Sequence, residues 1–210
     1  MSDALLLIDV QYDFCSGGSL PVPAGDEVIL VLNQYLEIAG SASIPVFASR
    51  DWHPASTRHF ASGGGLWPSH CVQGTHGAEF HHDLHLPGSA RIVTTGDSSE
   101  DEGYSAFEGR LDDGTTLAEG LHSAGVTRVF VGGLATDYCV LHTVLDALQS
   151  GFETLYLEDG SRAVELKPGD GQRAVADMVA AGAHICTLTD FHPGTPSTDA
   201  REGASGGSVR

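Results

Sequence analysis

Short apolar runs alternate with segments of helical spacing along most of the chain. Ala4 to Val10 reads as a strand, apolar without a break from Ala4 to Ile8, as burial on both faces requires. Asp26 to Ala39 repeats Val28, Leu32 and Leu36 at helical intervals, and Gly40 suits its end. Ile44 to Ser49 reads as a second strand, Arg91 to Thr94 as a third, and Thr115 to Ser123 as a helix. Val126 to Val131 is the fourth strand, and a helix is expected from Asp137 to Gln149. Glu153 to Leu157 is the fifth strand, Gly171 to Ala181 a helix, and Ala183 to Leu188 the last strand. Strands alternating with helices predict an α/β fold: a doubly wound, mainly parallel six-stranded sheet with helices on both faces, a three-layer Rossmann-like arrangement. Residues 60 to 90 interrupt the alternation with a segment rich in His, Gly and Trp. The end, from 193 to 210, is small and polar and reads as a flexible tail.

In such sheets, sites form beyond the carboxyl ends of the strands. Asp9 ends the first strand, Asp51 and His53 follow the second, Thr95 and Gly96 the third, and Cys139 the fourth. Each alone has an ordinary reading as a turn or cap residue; their shared rim points to chemistry. Cys139 arrives where a helix begins after a glycine-ended strand, a setting that depresses a thiol pKa and makes it nucleophilic. The other reading, a small buried core thiol, stays open from this segment alone. Asp137, just before the helix, fits an N-cap. Gly132-Gly133 lacks the lysine of a phosphate loop.

The histidines give a second signal. Seven of the eleven lie between residues 53 and 85. Asp51 and His53, two apart, point the same way in an extended segment, and His59 and His70 follow. One carboxylate with two or three imidazoles suits Zn²⁺, Mn²⁺ or Fe²⁺ with positions left for water or substrate. A solvated His-rich loop is the competing reading, and His76, His81, His82 and His85 are read as surface residues.

Composition narrows the classes. At 210 residues and 41% apolar content the chain is long enough for one well-packed domain. A formal charge of −18, with Lys167 the only lysine, argues against nucleic acid and anionic membranes as partners. The acid excess fits either a salt-adapted proteome or a soluble surface. No apolar run matches a membrane span and the first residues lack a signal peptide's basic region. Four cysteines without framework spacing suggest reduced thiols and a cytoplasmic setting.

Several segments together are recognisable: Ile8-Asp9-Val10-Gln11-Tyr12-Asp13-Phe14 with Gly17-Gly18-Ser19-Leu20, Arg50-Asp51-Trp52-His53-Pro54, and Trp67-Pro68-Ser69-His70-Cys71-Val72-Gln73-Gly74-Thr75. Gly103-Tyr104-Ser105-Ala106-Phe107 and Gly133-Leu134-Ala135-Thr136-Asp137-Tyr138-Cys139-Val140 complete the series. In this order, from about residue 4 to 188, the chain resembles the nicotinamidase/pyrazinamidase branch of the isochorismatase-like cysteine hydrolases. The resemblance implies one hydrolase domain over 1–192. It implies conversion of nicotinamide and water to nicotinate and ammonia through a cysteine thioester, a step of NAD salvage. Cys139 would be the nucleophile and Asp9 its base and acid. Ala135 and Cys139 would supply the oxyanion hole beside a cis Leu134–Ala135 bond. Phe14, Trp67 and Tyr104 would sandwich a small pyridine carboxamide. One divalent metal ion (Zn, Mn or Fe) would bind Asp51, His53 and His70, with His59 a fourth ligand in some members. Members are often homo-oligomers. The family's third catalytic residue is a lysine, and Thr95 occupies that place here. The departure implies slower turnover, compensation by a cation such as Arg50, or a weakened protein that binds nicotinamide or nicotinate with little chemistry. Hydrolysis of another small amide is a further alternative.

Overall fold

The computed structural model describes residues 2–195. The strands are β1 (Asp3–Ile8), β2 (Val46–Asp51), β3 (Arg91–Thr95), β4 (Arg110–Leu111), β5 (Arg128–Leu134), β6 (Glu153–Arg162) and β7 (His184–Cys186). The helices are α1 (Glu27–Ser41), α2 (Leu117–Ser123), α3 (Leu141–Gln149) and α4 (Asp170–Ala180). The sheet runs β4-β3-β2-β1-β5-β6-β7, parallel at every pairing except β3 with β4. The doubly wound α/β architecture is the expected one, with a correction in strand number: among the described residues the sheet has seven strands, not six. The added β4 is a two-residue antiparallel edge, too short to leave a hydrophobic period of its own in the sequence. The polar tail expected over 193–210 lies, from residue 196 onward, outside the described residues. At its start the Gly194 N–H donates to Asp3 at 2.6 Å.

The strand residues alternate between two cores. Leu5, Leu7 and Phe130 face the side covered by α1, where Val28, Leu32 and Leu36 meet them. Leu6, Ile8, Val129 and Val131 face the other, against Leu117 and Leu121 of α2, Val144 of α3 and Met178 of α4. Burial on both faces explains why β1 is apolar without a break from Ala4 to Ile8. α2 starts at a capping box: Thr116 accepts from the Glu119 N–H while the Glu119 carboxylate accepts from the Thr116 N–H.

Strand order reverses at β1, whose neighbours are β2 on one side and β5 on the other. The carboxyl ends of β1, β2, β3 and β5 therefore open onto one crevice. β5 lies unusually close to the end of β1. A Cβ at Gly133, whose φ is +131°, would fall on the Ile8 carbonyl, so glycine is required there.

Candidate active site

β1 delivers Asp9 in a left-handed backbone conformation (φ 49°) that aspartate tolerates better than most residues. Ser49 fixes its carboxylate by donating to Oδ1 at 2.6 Å, and the Asp9 N–H donates back to Ser49 Oγ at 3.3 Å. Gln11, fully buried, ties the ends of β1 and β2 together. It accepts from the Asp51 N–H at 2.8 Å and donates to the Asp51 carbonyl at 2.7 Å. A fixed separation between Asp9 and Asp51 is the result.

Cys139 lies in a turn of π-helix, Thr136–Val140, that precedes α3. The expected helix thus begins with a wider turn. Asp137 is not its N-cap: its carboxylate accepts from the N–H groups of Val164 and Glu165 at 2.8 and 2.9 Å, latching the segment after β6. The Leu134–Ala135 peptide is cis. Thr136 Oγ1 pairs with the Tyr156 hydroxyl at 3.2 Å.

The electrostatics differ from the sequence expectation. Burial first, then the nearby Asp9 and Asp51 carboxylates, push the Cys139 thiol well above its ordinary range. Burial, reinforced by Asp51, pushes the Asp9 carboxyl up to about 7, against hydrogen bonds from Ser49 and Cys139 that favour the carboxylate. A thiol hydrogen-bonded to a carboxylate of near-neutral pKa is arranged to pass its proton. Arg50, the compensating cation considered from sequence, and Lys167, the single lysine, are elsewhere. Arg50 donates to Thr94 Oγ1 at 3.1 Å and stacks on Trp52 at 4.4 Å. Lys167 is exposed on the loop leading into α4. Among the described residues no lysine or arginine lines the cleft. Thr95 is buried at the end of β3, its hydroxyl donating to the Arg50 carbonyl at 3.1 Å and lying 3.5 Å from Asp51 Oδ1.

Beside Cys139 stand three imidazoles. The ligand atoms of His53, His59 and His70 lie within 4.8 Å of one another, and all three residues are buried. Asp51 reaches two of them, Oδ1 at 3.1 Å from His53 Nε2 and Oδ2 at 3.4 Å from His70 Nε2. The first of these contacts lacks hydrogen-bond geometry, and both ring nitrogens of His53 are buried without a partner. Orphaned buried nitrogens are costly in an ordinary core and normal in a metal ligand set. His70 Nδ1 bonds the Pro68 carbonyl at 2.8 Å, leaving Nε2 toward the cluster. His59 is held neutral, its pKa lowered to about 4 by burial and by His53. Burial alone would raise the Asp51 carboxyl, but the close approach of the His53 and His70 imidazoles outweighs it and keeps it low. Anionic carboxylate and neutral imidazole are the protonation states a cation needs.

Long-range backbone contacts bring this set together. The His53 N–H donates to the Cys71 carbonyl and the Gln73 N–H to the His53 carbonyl, both at 2.9 Å, so the 70–73 segment runs alongside residue 53. Asp13, buried, receives the Cys71 N–H at 2.7 Å and the Ser19 N–H at 3.0 Å. Gly96 (φ 64°) and Gly103 (φ 76°) pack directly on the cluster: a Cβ at Gly96 would fall on the His53 ring, and one at Gly103 would come 3.0 Å from Asp51 Oδ1.

The cleft is narrow and lined mainly by aromatic and aliphatic side chains, as small-ligand sites generally are. Phe14, Trp67 and Tyr104 line it, together with Asp51, His59, His70, Ala135 and Cys139. Trp67 Nε1 donates to the Tyr104 hydroxyl at 2.9 Å, which fixes both rings. Tyr138, Leu20, Val22, Val164 and Glu102 complete the wall and were not named as lining residues from the sequence. Tyr138 packs edge-on to Trp67 at 4.8 Å. Its place after the cis bond was the available signal; the three aliphatic residues left none.

A doubly wound sheet that brings a cysteine and an aspartate together at its switch point defines an α/β protein with a candidate hydrolase site. The isochorismatase domain profile matches residues 3–190, and the chain belongs to that family. It is 41% identical over 207 residues to the nicotinamidase of Escherichia coli K12, covering 90% of this chain and 96% of that protein. The pyrazinamidase of Pyrococcus horikoshii, solved in complex with zinc, superposes with a TM-score of 0.82 at 42% identity, over 89% of this chain and 99% of that one. The L. infantum protein solved with nicotinate superposes with a TM-score of 0.79 at 36% identity, over 91% and 95%.

Proposed function

We propose that the chain is a metal-dependent nicotinamide amidohydrolase of NAD salvage in which Cys139 and Asp9 do the chemistry. The observation that carries this reading is Cys139, hydrogen-bonded to the buried Asp9 behind it, lining the same cleft as Asp51, His59 and His70. The nicotinamidase and pyrazinamidase relatives support the substrate class, and the nicotinate complex supports a pyridine ring in the cleft.

Asp9 takes the Cys139 proton as Sγ bonds to the carboxamide carbon, and the carbonyl electron pair moves onto oxygen. The backbone N–H groups of Ala135 and Cys139 hold that oxyanion; one such donor is worth roughly 10²–10³ in rate. Collapse expels the amine, which leaves as ammonia with the proton from Asp9. Water then attacks the thioester, giving a proton to Asp9, and the released sulfur recovers it as nicotinate departs. Phe14, Trp67 and Tyr104 hold the ring so that its carboxamide meets Sγ. Asp51, His53 and His70, with His59, would hold one divalent cation, Zn²⁺, Mn²⁺ or Fe²⁺, that supplies a Lewis-acid anchor for the pyridine nitrogen. The four cysteines are free, as a reducing cytoplasmic setting requires.

The raised Cys139 thiol and the absence of a cation among the described lining residues favour a second reading, a protein that binds the ring with slow turnover. One experiment separates the two: ammonia release from nicotinamide and pyrazinamide beside calorimetric nicotinate binding, on protein of measured metal content. Turnover abolished by Cys139→Ala supports the enzyme. Binding with background turnover supports the second reading, and neither binding nor turnover sinks both.

A further inference from the structure

The loop after β2 carries a second set of metal-type donors, away from the cleft. Asp83 sits between two imidazoles, with Oδ1 at 3.3 Å from His82 Nε2 and Oδ2 at 3.8 Å from His81 Nδ1. One ligand atom from each residue lies within 4.8 Å of the others. The groove that holds them shares no lining residue with the substrate cleft, and Asp26 and His85 border it as further donors.

We propose that His81, His82 and Asp83 form a second, peripheral binding site for a divalent transition cation of the zinc, nickel or copper type. Two imidazoles and a carboxylate select these ions over magnesium or calcium.

Two features besides proximity set this cluster apart from an ordinary polar loop. First, its backbone is clamped. Asn33 of α1 donates to the Asp83 carbonyl at 2.8 Å and accepts from the His85 N–H at 2.9 Å, while Leu84 between them is buried. Less ordering is then left for a cation to impose. Second, the Tyr12 hydroxyl bonds His82 Nδ1 at 2.8 Å. That bond fixes the ring and leaves Nε2 on the Asp83 side, the outer-shell support that ligating histidines usually have. The rings of His81 and His82 stack at 4.8 Å, so both present their edges together.

The side chains of His82 and Asp83 are 68% and 63% exposed. Water competes for the open positions, and binding is weaker than at the buried cluster. A bound cation would couple this loop through Tyr12 to the turn that carries Asp13 and Phe14.

Metal-stripped full-length chain titrated calorimetrically with Zn²⁺ should take up two equivalents, the second with an affinity at least about tenfold below the first. His82→Ala and Asp83→Asn, both at exposed positions, should remove the second equivalent and keep the first. Tyr12→Phe should keep two equivalents but weaken the second by roughly 10–100-fold. Two equivalents of Cu²⁺ should give two nitrogen-split paramagnetic resonance signals, of which His82→Ala removes one while that of the three cleft imidazoles persists. Uptake of a single equivalent by the wild type, or a second equivalent that survives both His82→Ala and Asp83→Asn, overturns the inference. The count is independent of whether the cleft hydrolyses nicotinamide.

Discussion

Thr95→Lys probes the reasoning about the missing cation most directly. Thr95 pairs in register with Asp51, and β3 stands two strands from β1, so roughly 10 Å separates their backbones. The four-carbon stem of lysine and the side chain of Asp9 reach across much of that gap. An ammonium about 4 Å from an anion contributes ~4 kcal/mol at an effective dielectric of ~20. Burial of the lysine offsets part of it. A carboxyl beside a cation typically moves down by about 1–3 pKa units, and the Cys139 thiol, raised by the same two carboxylates, should follow in direction. Each unit gives about tenfold more thiolate below the thiol pKa, but nucleophilicity falls with a Brønsted slope of about 0.5, leaving roughly threefold per unit. Alkylation of Cys139 by iodoacetamide near neutral pH should therefore quicken about 3–10-fold, with kcat/KM for nicotinamide moving the same way. Thr95→Met, similar in length and uncharged, should give no rise. Equal effects from Lys and Met, or an unchanged alkylation rate in a folded Thr95→Lys protein, would refute the electrostatic account.

Cys139→Ala and Asp9→Asn should each reduce ammonia release to background while nicotinate binding, read by calorimetry, persists; turnover surviving either change removes that residue from the mechanism. Gly96→Ala forces a Cβ onto the His53 ring at a left-handed position that alone costs about 1–2 kcal/mol, so its tightly bound metal, measured by elemental analysis, should drop well below one equivalent. Asp13→Asn leaves the N–H groups of Cys71 and Ser19 sharing a neutral acceptor. A loss of about 2 kcal/mol in urea unfolding is expected from replacing charge-assisted bonds, with weaker metal retention because His70 adjoins Cys71. Asp9 must be ionised to accept the thiol proton, and its raised pKa of about 7 means kcat/KM climbs as pH rises through that region. A bound cation favours the carboxylate and moves the midpoint down, so a profile already flat at about pH 5 and above, with metal bound or exchanged, contradicts the assignment.

How much of this could be read from the sequence depended on the range of the interaction. β1 and β5 announced themselves because burial on both faces demands apolar stretches, Ala4–Ile8 and Val129–Val131, and α1 because its apolar spacing matches its period. Local motifs named Asp9, Asp51, His53, His70 and Cys139, and the sheet rule put their strand ends on one rim. β4 was missed because two residues carry no period. The π turn at Thr136–Val140 was read as ordinary helix because both share the same apolar spacing over one turn. Asp137 looked like a cap from its position, yet its partners lie 27 and 28 residues away.

By itself, then, the sequence determined the α/β class and the chemical types of the candidate groups, since both follow from local pattern and side-chain identity. Only the tertiary structure decided their electrostatic state. The helix start suggested an activated thiol, whereas the folded protein surrounds Cys139 with Asp9, Asp51 and low-dielectric core and pushes it the other way. It likewise decided that His53 has two orphaned nitrogens, that Gly96 and Gly103 pack on the cluster, and that Asn33 clamps the 83–85 loop. These are long-range matters: a pKa, an unmet hydrogen bond and a close approach each depend on atoms that the chain brings together only by folding.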